Sequence, residues 1–181
     1  MNILLLVPIL TPLAAAVLAA LLGWRLLSAS VTVVAALSVL ISGAAIGFHI
    51  GSGARFSFGR LLRADALSVT MLIVIGTVGT LATWASIGYI NAELAHGHTN
   101  RRGANLYGVL VPIFLAAMAL AVLANNIGVM WAAIEATTVA TAFLVGHRRT
   151  RAELEAPWKY VVICSVGIAI AFLGTGPLSV E

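Results

Sequence analysis

A chain of 181 residues that is 61% hydrophobic and only 9% charged, with a mean hydropathy of +1.09, is not built like a water-soluble domain, where roughly a quarter of residues are charged. The net charge of +4 does not point to nucleic acid as a partner, because the basic residues stand in short clusters between apolar runs. One cysteine, Cys164, excludes an intrachain disulfide, and its apolar surroundings predict an inert, packed thiol.

The expectation is an all-α membrane protein, a polytopic bundle of about six transmembrane helices forming a single domain over 1–181. A helix needs about 20 mainly apolar residues to cross about 30 Å of hydrocarbon. The runs that meet this are 3–22, 27–50, 66–90, 106–124, 127–145 and 157–173. The first has no cationic leader and is followed by further spans, so it does not read as a signal peptide. Pro8 and Pro12 fall in its early turns, and Pro12 is expected to bend it. Trp24 and Arg25 mark an interface.

In the second run Gly43, Gly47 and Gly51 recur every four residues, a spacing that lets another helix approach closely; packing within the chain is the expectation, dimerisation the alternative. The segment 51–64 is polar and Gly-rich, and the alternation Arg55-Phe56-Ser57-Phe58 suits a short hairpin strand. Asp65 stands at the head of the third run, where it would cap the helix; a part in ion entry is the alternative.

Residues 91–105 read as a solvated loop. His96 and His98 within it are two imidazoles without further ligands nearby, which is weak support for a metal, and none is expected. Pro112 is a candidate bend in the fourth run. Asn125-Asn126 makes the next connection so short that the fourth and fifth spans should be antiparallel neighbours.

The fifth run carries one charge, Glu135, ten residues before Val145 and so roughly 15 Å from that end. A carboxylate near the bilayer midplane costs about 2.5–3.5 kcal/mol on insertion scales, and such a group normally faces a partner or a water path. Burial opposes its ionisation and a nearby cation favours it. That combination suits a proton carrier; a glutamate that only locks two helices together is the alternative. Thr138 is the nearest hydroxyl on the same face.

Beyond a basic loop, 146–156, comes Lys159. If Thr150 and Glu153 form a capping box, the sixth helix starts near Arg151 and Lys159 reaches roughly the height of Glu135. If Pro157 is the first helical residue, Lys159 lies about 3 Å in, and the two groups differ by roughly 10 Å in height. Trp158 and Tyr160 suit a headgroup belt and favour the shallow version, with Lys159 as an interfacial anchor.

Arg25, Arg101, Arg102, Arg148, Arg149 and Arg151 fall on one side of the membrane, Arg55, Arg60 and Arg63 on the other. The bias puts the first group in the cytoplasm and both termini outside. No dinucleotide, phosphate-loop, C-x-x-C or hydrolase motif occurs, so no catalytic site and no cofactor are expected in this chain.

The stretch NNIGVMWAAIEATTVATAFLVGHRRTRAELEAPWKYVVICSVGIAIAFLGT, together with RADALSVTMLIV earlier in the chain, resembles the proton-translocating antiporter-like membrane subunits. These occur in complex I, formate hydrogenlyase, hydrogenase-4 and multisubunit sodium/proton antiporters, and the likeness is greatest to the hydrogenase-4 F subunits. The resemblance implies a membrane-arm subunit that handles protons, with sodium as the alternative, for a hydrogenase or NADH dehydrogenase-type complex, in contact with other membrane subunits and the bilayer. By it Glu135 corresponds to the family's fifth-helix glutamate and Lys159 to a sixth-helix lysine that modulates it. Asp65 and Thr138 are accessory candidates. Family members have about fourteen helices, with an inverted repeat and further lysines on the seventh and eighth. The resemblance therefore implies the N-terminal half of that fold, truncated after the sixth helix. The alternatives are a non-catalytic scaffold or assembly partner, or a remnant of a split gene.

Overall fold

The computed structural model describes residues 2–50, 55–57, 61–97, 99–145 and 155–175. Its order is α1 (Asn2–Leu22), α2 (Leu26–Ile50), β1 (Arg55–Ser57), β2 (Leu62–Ala64), α3 (Ala66–Ala95), α4 (Arg101–Leu123), α5 (Ile127–Val145) and α6 (Glu155–Thr175). All six helices are long and apolar enough to cross a membrane. The protein is thus a polytopic α-helical bundle, and the first, second and fifth spans keep their expected extents to within one residue.

The expected boundaries of three helices need correcting. α3 continues five residues beyond Ile90, and α4 opens at Arg101 rather than Leu106. Only 96–100 connects them, so 91–105 is not a solvated loop. The helix outlasts its hydropathy because Glu93 is not in water: it is 5% exposed, takes a hydrogen bond from the Tyr89 hydroxyl at 2.8 Å and another from Thr99 Oγ1 at 3.3 Å. Asn100 then caps α4 by accepting from the Gly103 N–H at 2.8 Å. The sixth helix also starts earlier than Pro157 and runs through Gly174 to Thr175. The proposed Thr150–Glu153 capping box lies outside the described residues.

The core lies among the first four helices. α1 packs on α2 and α4, and α2 packs on α3 along its length. Leu5, Val39, Ile46, Leu72, Leu115 and Leu123 meet there, with small residues such as Ala36 and Ala119 between them. In hydrocarbon the gain comes from close contact rather than escape from water, so small residues at crossings count. Gly43 and Gly47 face α3: a Cβ on either would stand 3.0 Å from Leu72 Cβ or Val69 Cγ1. Packing within the chain accounts for both, while Gly51 lies outside the described residues. The closest approach is at Gly76 of α3, where a Cβ would fall 2.5 Å from the Cα of Leu40 on α2.

The share of buried residues in the apolar spans is 39% in α1, α2 and α4, 28% in α3, 22% in α5 and none in α6. α5 rests on α4, and α6 rests on α5. The bundle is therefore a packed block with α5 and then α6 laid against its side.

At one end β1 and β2 pair antiparallel, Arg55 with Ala64 and Ser57 with Leu62. The expected alternation thus does form a strand, over 55–57. The hairpin is docked on the α4–α5 turn, where the Asn125 N–H donates to the Leu61 carbonyl at 2.9 Å. Asn126 caps α5, accepting from the N–H groups of Gly128 at 2.9 Å and Val129 at 3.3 Å. Three residues connect Leu123 to Ile127, and α4 and α5 are neighbours, as that brevity requires.

Candidate functional site

Glu135 sits in the middle of α5, half-buried, with α4 on one side and α6 on the other. One carboxyl oxygen, Oε1, accepts a hydrogen bond from the hydroxyl of Ser165, thirty positions later on α6. The other, Oε2, is buried and has no hydrogen-bond partner among the described residues. The indole N–H of Trp131, one helical turn earlier on the same face, is in the same condition. The Trp131 ring lies against Phe172 of α6, with centroids 5.3 Å apart. Between α4 and α5 opens a shallow groove of about 540 Å³, lined by Leu110, Ile113, Trp131, Glu135, Val139 and Phe143 among others, and almost wholly apolar.

Chemically this is a carboxyl group held at membrane depth by one neutral donor. A hydroxyl can satisfy either the protonated or the ionised form, because it both donates and accepts. A buried polar atom without a partner costs about 1–3 kcal/mol, and more if charged.

The other expected site residues are placed as follows. Lys159 does not meet Glu135. It is exposed on α6, six residues before Ser165 and so roughly 9 Å nearer the start of that helix. That offset is near the one expected for the shallow placement, although α6 opens at Glu155 rather than at Pro157; Trp158 and Tyr160 beside Lys159 are 67% and 44% exposed. Thr138 is buried, but its hydroxyl donates back to the Ile134 carbonyl at 3.2 Å, so it is engaged by its own helix. His96 has Nδ1 2.7 Å from the Ala92 carbonyl oxygen; His98 lies outside the described residues.

Asp65 is the N-cap of α3. Its Oδ1 accepts from the Ser68 N–H at 2.9 Å and the Ser68 hydroxyl at 3.1 Å, and Oδ2 pairs with Arg63 Nη2 at 3.0 Å. The bond from the Ser68 N–H, helped by its hydroxyl and by the Arg63 guanidinium, holds the carboxyl below the usual carboxylate range, although burial pushes the other way. Capping accounts for Asp65, and it lies at the hairpin end of the bundle, remote from Glu135 by about half the length of α5.

Two residues that sequence reasoning passed over matter here. Ser165 is one hydroxyl in an apolar run, yet it stands ten residues after the start of α6 as Glu135 stands ten before the end of α5. In an antiparallel pair that count alone puts them at one height. Glu93 is a buried carboxyl group at the end of the bundle where α6 begins.

No protein-family model matches the chain. Over 117 residues it is 36% identical to a hydrogenase-4 component F homolog of Methylacidiphilum infernorum (isolate V4); the match covers 65% of this chain and 25% of that relative. The chain thus spans about a quarter of the length of the curated relative it matches.

Proposed function

We propose that this chain is a membrane component of a hydrogenase-like complex, structurally the N-terminal half of an antiporter-like subunit, and that Glu135 is its protonatable station. The observation that carries this reading is the setting of Glu135: a carboxyl group at mid-span, bonded by Ser165 through one oxygen and buried without a partner at the other. The likeness to a hydrogenase-4 component supports the choice of assembly. Protons are the favoured cargo, because one carboxyl group with a neutral hydroxyl offers few oxygen ligands for sodium. Lys159 acts from the interface through intervening groups. Redox chemistry belongs to partner subunits, and the site is a bacterial inner membrane with both termini outside.

A second reading, that of a scaffold or assembly partner, draws on α6, whose apolar residues Val162, Ile163, Val166, Ile170 and Leu173 are all more than half exposed. Membrane vesicles from the native host, with the chain in its own assembly, separate the two. In a pH-gradient dye assay Glu135→Gln should impair proton movement strongly and Glu153→Gln should not, because only the first removes a carboxyl group at membrane depth. Equal pumping by both variants, with the complex still assembled, favours the scaffold.

A further inference from the structure

At the hairpin end a second cavity, about 340 Å³, opens between the start of α3 and the α4–α5 turn. Its rim carries Arg63 and Asp65; its wall is Leu67, Met71, Val122 and Met130. Leu67, Met71 and Met130 are 66%, 42% and 36% exposed. The apolar span of α3 begins at Ala66, directly after Asp65. Charged rim and exposed apolar wall therefore meet at the start of an apolar span, the place in such a helix where headgroups are expected to give way to acyl chains.

The ion pair leaves bonding capacity on both sides. A carboxylate has about four acceptor positions and a guanidinium five N–H donors. Asp65 uses two positions on Oδ1 for Ser68 and one on Oδ2 for Arg63, and the Leu67 backbone N–H also supports the carboxylate; with about four positions in all, capacity for a further donor remains. Only one Arg63–Asp65 contact joins the pair, and the side chains are 47% and 31% exposed. A ligand that offers an anionic group to Arg63 and an N–H cation to Asp65 Oδ2, side by side and with a hydrocarbon chain attached, complements all three features.

We propose that this cavity seats a zwitterionic phospholipid with a primary ammonium headgroup, its phosphate on Arg63, its ammonium on Asp65, and one acyl chain along Leu67, Met71 and Met130. The neutral total charge of the pair selects against a purely anionic headgroup, whose negative charge would also face Asp65. Choline headgroups have no N–H to donate and lose the second contact.

The test is native mass spectrometry of the full chain in detergent, titrated with phosphatidylethanolamine, phosphatidylcholine or phosphatidylglycerol of identical acyl chains. The wild type should retain phosphatidylethanolamine about tenfold more tightly than phosphatidylcholine, the size of one charge-assisted hydrogen bond. Asp65→Asn keeps a capping oxygen but removes the charge, and should bring that ratio close to one. Arg63→Gln should weaken all three lipids, and Arg102→Gln, at the opposite end, should change none. Equal retention of the ethanolamine and choline lipids by the wild type overturns the proposal. So does an unchanged ratio in Asp65→Asn, or tighter binding of phosphatidylglycerol than of phosphatidylethanolamine. Circular dichroism verifies that each variant is folded, and the wild-type ratio decides the matter even if one is not.

Discussion

Ser165 of α6 donates its hydroxyl to Glu135 of α5, a side-chain hydrogen bond that joins the two helices at mid-span. It ties the most weakly buried helix of the bundle to its mid-span carboxyl group. Ser165→Ala would leave both oxygens of Glu135 without a donor, at a cost of about 1–3 kcal/mol. The expected result is a lower unfolding temperature and faster amide exchange in α6, with α1 to α4 unaffected. Ser165→Thr restores the hydroxyl and should recover most of the loss. Unchanged exchange in Ser165→Ala would mean that the bond contributes nothing to seating α6.

Gly76 should tolerate no side chain. The Cβ of Gly76→Ala would lie 2.5 Å from the Leu40 Cα, and backbone cannot step aside as a side-chain end can. Separating α2 from α3 should cost about 1–3 kcal/mol, the usual penalty of overpacking. Gly88 lies on the same helix with nothing within 4 Å of its would-be Cβ, so Gly88→Ala should cost nothing. Thermal unfolding of the two variants in the same detergent checks the contrast.

Asp65 gives a pH dependence whose sign is fixed. Its carboxyl is held below the usual range in the folded chain, so the stabilisation is present above the unfolded-state value and is lost as pH falls through the folded one. Acidification from neutral pH should loosen the hairpin–α3 junction in the wild type, while Asp65→Asn should lack that component. Asp65→Ala should cost about 1 kcal/mol at neutral pH through the lost cap, and Asp65→Asn clearly less. Hydrogen exchange of the Ser68 amide across the acidic range reads both.

The basic-residue bias predicts the loop that holds Arg148, Arg149 and Arg151 on the cytoplasmic side. In a variant lacking Cys164, a cysteine at position 149 should resist an impermeant thiol reagent applied from outside and react once the membrane is opened. Reaction from outside would invert the topology and put the hairpin in the cytoplasm.

The spans were legible because a bilayer demands long unbroken apolar runs, and 127–145 keeps its expected limits in the structure. The strand at Arg55 and the cap at Asp65 were legible too, since each rests on local chemistry. Hydropathy failed at Asn91 to Ala95, where Tyr89 and Thr99 satisfy Glu93 and let the helix run on through polar residues. It also gave no weight to Gly76, whose meaning depends on which helix crosses it. Around Glu135 the sequence supplied the carboxyl group but not its partner. Lys159 drew attention by its charge, whereas Ser165, the actual neighbour, carries no charge and meets Glu135 only once two helices are aligned.

The light burial of α5 and α6 has a mechanical side. A chain held in a bilayer and pulled from its carboxyl end would surrender α6 at low force, since it packs chiefly against α5 and none of its apolar span is buried. α5 would follow against α4, and the rupture of the α2–α3 crossing, locked backbone to backbone at Gly76 and Leu40, would need the greatest load. Read in the other direction, the same difference sets an order of assembly: the first four helices can settle as a block while α5 and α6 are still leaving the insertion machinery, and the outermost pair is the last to be seated.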